Sequence, residues 1–299
     1  MSENESEFDA YLSLADVTED DHRWAFGTGF ADPLAGLGEA VPPGVDPAAL
    51  AERCLALADD ALIYSHRLQQ WVTRAPELEE ETALANIALD LLGQARLLLT
   101  RAGKAEGTDR TEDDFAFDRG EREFRNVRLA EIADADFASV IARLLVFSTW
   151  RLALLARLST SADPVLAAVA GQGVKEITYH RDYAAQWLIR LGDGTEYSHA
   201  KAVASLAAVA PYVTELFTPT ETEARLAAAG VAVNPAELRG EFDEVLAQVM
   251  AEAGLEWPKS PGLAGVSGRT GRDGIHTEAM GYLLAELQSV ARALPGATW

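Results

Sequence analysis

From Asp46 onward the chain is dominated by long segments in which apolar residues return every three or four positions, the spacing of one face of an α-helix. Asp46 followed by Pro47 reads as an N-cap with proline at the first helical position, and Leu50, Cys54, Leu57, Leu62 and Trp71 carry a first helix toward Pro76. A second helix begins in the acidic run Glu77, Glu79, Glu80, Glu81, where carboxylates suit the positive end of the helix dipole, and stops near Gly103. A third covers 136–160, and a fourth opens at Asp163 and Pro164 and closes at Gly192. Each is about 30 to 40 Å long at a rise of 1.5 Å per residue. Further helices are predicted over 195–217, 220–229, 235–253 and 276–294. The charged stretch 110–132, with Phe115, Phe117 and Phe124 scattered in it, reads as an irregular crossover with a short helix, and 262–274 as an exposed glycine-rich loop. No segment alternates with period two, so the class is all-α.

Four long helices, a long crossover and appended C-terminal helices predict a ferritin-like long four-helix bundle. Residues 46–299 form this helical domain. Residues 1–45 differ: they hold ten acids against one base, Arg23, and several Gly and Pro, which reads as an acidic flexible extension with a short docking segment over 24–37. The net charge of -22 disfavours nucleic acid and anionic lipid, because both repel an acidic surface. The uncharged run 202–213 falls short of the roughly 18 apolar residues of a membrane span, and the acidic N-terminus is unlike a secretory signal. A single cysteine, Cys54, leaves no disulfide framework or thiolate cluster, and the chain reads as cytoplasmic.

A di-iron bundle needs a carboxylate from each of two helices and a Glu-x-x-His pair from each of the other two, because residues i and i+3 share a helix face. The third helix fails this template: 138–160 contains no Asp, Glu or His. On the fourth, Glu176 and His180 are four apart, and Ile177 stands where the acid belongs. On the second, Asn86, Asp90 and Gln94 recur every four residues, with Gly93 in the histidine slot. On the first, Asp59 lies seven residues from His66. The pairs Glu19/His22, Glu196/His199 and Asp273/His276 have the spacing but lie outside long helix interiors. Asp59, Asn86, Asp90, Gln94, Glu176 and His180 therefore read as a vestigial polar core held by mutual hydrogen bonds, with Arg143 or Arg151 of the third helix supplying positive charge. The competing reading is a reduced metal site from Asp59, Asp90, Glu176 and His180. No phosphate loop, nucleophile elbow or Cys-x-x-Cys is present. No residue is assigned as catalytic, cofactor-binding or metal-ligating.

The strings PELEEETALANIALDLLGQARLLL, DDFAFDRGEREFRNVRLAEI, KEITYHRDYAAQWLIRLGDGTEYS and GIHTEAMGYLLAELQSVARALPGATW closely resemble the C subunits of the multicomponent phenylacetyl-CoA 1,2-epoxidases, over about 46–299. The resemblance implies a ferritin-like component of a bacterial monooxygenase complex that epoxidises the ring of phenylacetyl-CoA in phenylacetate catabolism. It further implies a hetero-oligomer in which the di-iron centre belongs to a homologous A subunit, electrons arrive from NADPH through a reductase, and this chain is a structural partner with no cofactor of its own. The first two helices and the segment from Gly274 to Trp299 are expected to supply the contact with the di-iron homologue, and Lys259, Arg269 and Arg272 are candidate contacts for CoA phosphates. A free-standing ferritin-like binding protein is the remaining alternative.

Overall fold

The computed structural model describes residues 34, 36–38, 40–108, 110–263 and 265–297. The acidic stretch through residue 33, with His22 and Trp24, and the terminal Trp299 lie outside the described residues.

Helix α1 (Pro47–Gln69) starts where Asp46 accepts the backbone N–H of Ala48, and proline occupies its first position. It ends at Gln69, short of Pro76; turns fill the interval. Helix α2 (Leu78–Glu106) closes on Gly107, whose left-handed conformation suits glycine. The short α3 (Arg128–Glu131) is followed by α4 (Phe137–Leu158) and α5 (Pro164–Gly192), capped by Asp136 and Asp163. The remaining helices are α6 (Glu196–Val209), which tightens into a 3-10 segment through Phe217, then α7 (Glu221–Ala228), α8 (Arg239–Ala253) and α9 (Glu278–Ala293). Among the described residues there is no strand, only an isolated bridge between Val266 and Arg269. The protein is an all-α, ferritin-like long bundle with additional C-terminal helices.

Side-chain contacts fix the topology. Leu57 meets Arg151 while Tyr64 meets Phe147, so α1 and α4 run antiparallel; Asp90 meets His180 while Gln94 meets Glu176, so α2 and α5 do too. Leu155 against Gly173 and Phe137 against Trp187 set α4 antiparallel to α5. Helices α2 and α4 therefore run in the same direction, and the chain must travel the length of the bundle to join them. The crossover does this along the outside of α1, touching Asp59 through Arg119, Asp60 through the N–H of Val127, and Arg67 through the carbonyl of Glu131.

Two of the four long helices are central. Seventeen of the 23 residues of α1 are buried, because the crossover, α7 and the loop before α9 cover its outer flank. Helix α4 is covered by α6, by the 3-10 segment, whose Leu216 carbonyl accepts the Trp150 indole N–H at 3.0 Å, and by α8. This layering corrects the expectation that the first helix offers a partner its surface. It also bears on membrane segments. By length and composition, Leu78–Glu106, Phe137–Leu158 and Glu196–Phe217 are each apolar enough to cross a bilayer, contrary to the expectation from uncharged runs, because an 18-residue window tolerates an occasional charge. In Phe137–Leu158, 94% of that window is buried inside the protein, so its apolarity serves the core.

Candidate functional site

The flank of α1 is sewn down by buried charge pairs. Asp59 and Asp60 are both fully buried in the middle of α1, between apolar turns. Asp59 accepts two bonds from the Arg119 guanidinium and one from the N–H of Arg125 at 2.8 Å. Asp60 accepts two from Arg272, at 3.0 and 2.8 Å, and one from the N–H of Val127. Arg53 with Glu223, Arg101 with Asp163, Arg128 with Glu215 and Arg143 with Asp134 are paired in the same way. Each of these carboxylates thus has its cation, and all but Asp134 also accept a main-chain N–H bond among the described residues, the condition under which such a pair is tolerated inside a protein. Two expectations fall here. Asp59 belongs to this clasp and not to the core between α2 and α5. Arg272 is held against Asp60 and is not free for a phosphate.

The loop carrying Arg272 is not simply exposed. A Cβ on Gly271 would sit 2.1 Å from the carbonyl oxygen of Asn126, so only glycine permits this approach. Farther along, His276 lies between two acceptors, the Glu131 carboxylate at 2.7 Å from Nδ1 and the Phe124 carbonyl at 3.2 Å from Nε2. Both ring nitrogens must donate, which requires the imidazolium. Burial alone lowers its pKa, but the hydrogen bond and charge of Glu131 outweigh this and hold it above the usual histidine value. Asp273/His276 is thus an element of the clasp, in which Glu131 and not Asp273 is the partner. His199 donates through Nδ1 to the Gly192 carbonyl at 2.8 Å, at a helix end.

The polar core forms where α2 faces α5. Arg151 of α4, fully buried, donates through Nε to Gln94 at 2.9 Å and through Nη1 to the carbonyl of Leu57 at 3.4 Å. Gln94 donates in turn to Glu176 at 2.8 Å, and Gln172 donates to the other carboxylate oxygen at 2.9 Å. His180 pairs with Asp90 at 2.9 Å through Nε2, while its Nδ1 has no partner among the described residues. Gly173 makes room: a Cβ there would meet Leu155 at 2.7 Å and Gln94 at 3.3 Å. Of the six predicted residues the structure brings Asp90, Gln94, Glu176 and His180 to this seam; Arg151 holds Gln94, which holds Glu176, while Asp90 and His180 form a separate pair. Arg143 instead serves Asp134 and stacks over Tyr64. Asn86 is exposed. The reason is geometric: four residues turn a helix by 400°, so a four-residue series drifts by about 40° per step, from surface at Asn86 to core at Gln94. Gln172 joins the network without having been predicted, although its i, i+4 spacing to Glu176 is a signal. Arg119 and Arg272 lie 60 and 212 positions from the carboxylates they hold, which no local pattern shows.

A metal does not fit this donor set. Helix α4 presents a guanidinium where the template requires a carboxylate, and the two groups that accept from Arg151 are an amide and a main-chain carbonyl. Among the described residues no group of three His, Cys, Asp or Glu is placed to hold an ion. Cys54 is buried as well, and burial pushes its thiol up to about 12, far from a reactive thiolate.

The side of α2 and α5 turned away from α1 and α4 carries no covering layer comparable to the crossover among the described residues. Leu78, Leu89 and Tyr179 stand out on it at 72, 60 and 51% exposure. Helix α9 likewise shows Tyr282 and Val290 outward while Met280, Leu283 and Leu284 pack inward.

Comparison with known proteins gives two results. The sequence matches the family described as "Phenylacetic acid catabolic protein" over residues 38–299. It is 41% identical over 246 residues to the C subunit of the 1,2-phenylacetyl-CoA epoxidase of Escherichia coli strain K12, an alignment that covers 82% of this chain and 97% of that protein.

Proposed function

Since the chain belongs to the phenylacetic acid catabolic protein family, we propose that it is the metal-free structural subunit of a phenylacetyl-CoA epoxidase, bracing a homologous di-iron catalytic subunit in phenylacetate catabolism. Its likeness to the C subunit of such an epoxidase, over nearly the whole of that protein, supports membership of the complex. The structural role rests on one observation above all: Arg151 occupies the bundle interior on the helix that should supply a bridging carboxylate. The complex is a cytoplasmic hetero-oligomer that also contains a reductase, and helical domain 46–299 is the part that assembles.

Physically, such a brace acts by covering an apolar face of its partner and keeping the reactive bundle rigid and dry. The uncovered side of α2 and α5, with Leu78, Leu89 and Tyr179, is the surface suited to that contact. Interfaces of this obligate kind often exceed about 2,000 Å². The outward residues of α9 remain available as a second contact, but its inward residues belong to the chain's own core, so truncating 275–299 would damage the fold as well as any interface.

Co-expression with the di-iron homologue tests the reading. The two chains are expected to co-purify, with iron tracking the partner, and ring epoxidation of phenylacetyl-CoA is expected only when both are present. Turnover by this chain alone, or failure to bind the homologue, would contradict it and favour the oxygenase or free-standing alternatives respectively.

A further inference from the structure

We infer that the cation at the centre of this bundle is built into the chain: the Arg151 guanidinium ties the four long helices together in the way a metal ligated from all four would. The inference is independent of which partner the chain binds. Arg151 projects from α4, reaches the Leu57 carbonyl of α1 through Nη1, and holds Gln94 of α2 through Nε. Gln94 relays the bond to Glu176 of α5, whose second oxygen is taken by Gln172. One positive charge thereby reaches every long helix of the bundle, and the amide of Gln94 is oriented by it: the carbonyl oxygen accepts from arginine, so the amino group must point at the carboxylate.

The charge survives its burial. Burial lowers the Arg151 pKa to about 10, with Arg272 and Arg53 acting in the same direction, while Asp60 and Glu176 favour the charged form. The side chain is therefore a cation at neutral pH. Among the described residues its Nη2 has no partner, and Nε and Nη1 hold acceptors on two different helices, a planar arrangement that the compact ammonium of a lysine does not reproduce. Gly173 completes the arrangement, since a Cβ there would have to displace the end of Leu155 and would crowd the amide of Gln94.

A bundle with a covalent cation has no use for an added one. In the full chain, the melting temperature is expected to stay unchanged with chelator or with millimolar Mn²⁺, and all added Mn²⁺ is expected to remain free by electron paramagnetic resonance. Arg151→Met is expected to lower the melting temperature by on the order of 10 °C, as loss of one member of a buried charged network does. Arg151→Lys recovers only part. The decisive arm is a double-mutant cycle: in the Arg151→Met background, Glu176→Gln is expected to cost less than it does in the native chain, because the carboxylate has lost its counter-charge. Should Arg151→Met fail to fold, the same cycle is run with Arg151→Lys, where reduced coupling is again expected. Strictly additive effects of Arg151 and Glu176, or stoichiometric Mn²⁺ uptake by the native chain with a rise in melting temperature, would overturn the inference.

Discussion

The outer flank of α1 and the seam between α2 and α5 are both polar, yet they are built on opposite terms. On the flank, Asp59, Asp60 and Glu131 are fully buried, and each is matched by a cation and by main-chain donors from segments distant in sequence. At the seam, Asp90 retains 37% side-chain exposure, His180 Nδ1 has no partner among the described residues, and an amide stands between the arginine and the carboxylate. The flank is finished within the chain. The seam is bridged by single hydrogen bonds and flanked by exposed Leu89 and Tyr179. Closed charge pairs mark where the protein covers itself; the apolar-edged polar seam is the surface that the proposed function assigns to a second bundle.

The sharpest way to break the comparison is Asp60→Ala. It strands Arg272 and removes the acceptor for the Val127 N–H, so a loss of about 3–5 kcal/mol is expected by chemical denaturation. Gly173→Ala acts on the seam instead. The added methyl must displace the end of Leu155 and crowd Gln94, with an expected cost of about 1–3 kcal/mol and a larger effect when combined with Gln94 substitutions.

His276 gives the flank a pH dependence. Its folded pKa is raised, so the Glu131 pair contributes fully below the ordinary histidine range, and that contribution is lost as pH rises through the folded value. The slope cannot exceed about 1.4 kcal/mol per pH unit for one proton. Unfolding free energies measured from pH 6 upward should show this decline, and His276→Gln should flatten it. The smallest effect on stability is expected from Leu89→Asp, within about 0.5 kcal/mol, since the side chain already faces solvent. The same change should weaken capture of the di-iron homologue in pull-down experiments; unaltered capture would remove α2 from the proposed interface.

Much of the fold is legible in the sequence because helix boundaries are written locally. Asp46 with Pro47 and Asp163 with Pro164 open their helices as the sequence suggests, and the predicted ranges beginning at 195 and 220 start on the residues that cap them, Thr195 and Thr220. The lack of metal-ligating side chains along α4 is equally plain, since it needs only residue identities. Pairing at a distance is what the sequence conceals. Asp59 and Asp60 look alike on the page, yet they face the crossover and the pre-α9 loop respectively, 60 and 212 residues away. Arg143 and Arg151, two turns apart on one helix, differ only in which neighbours surround them. Asn86 falls outside the core because a four-residue rhythm is not one face, and helical drift carries it to the surface.

The most direct test is iron stoichiometry of the isolated chain after anaerobic loading with ferrous iron and removal of excess. The account predicts close to zero iron per chain and an unchanged melting temperature. Near two equivalents, retained through gel filtration, would contradict it.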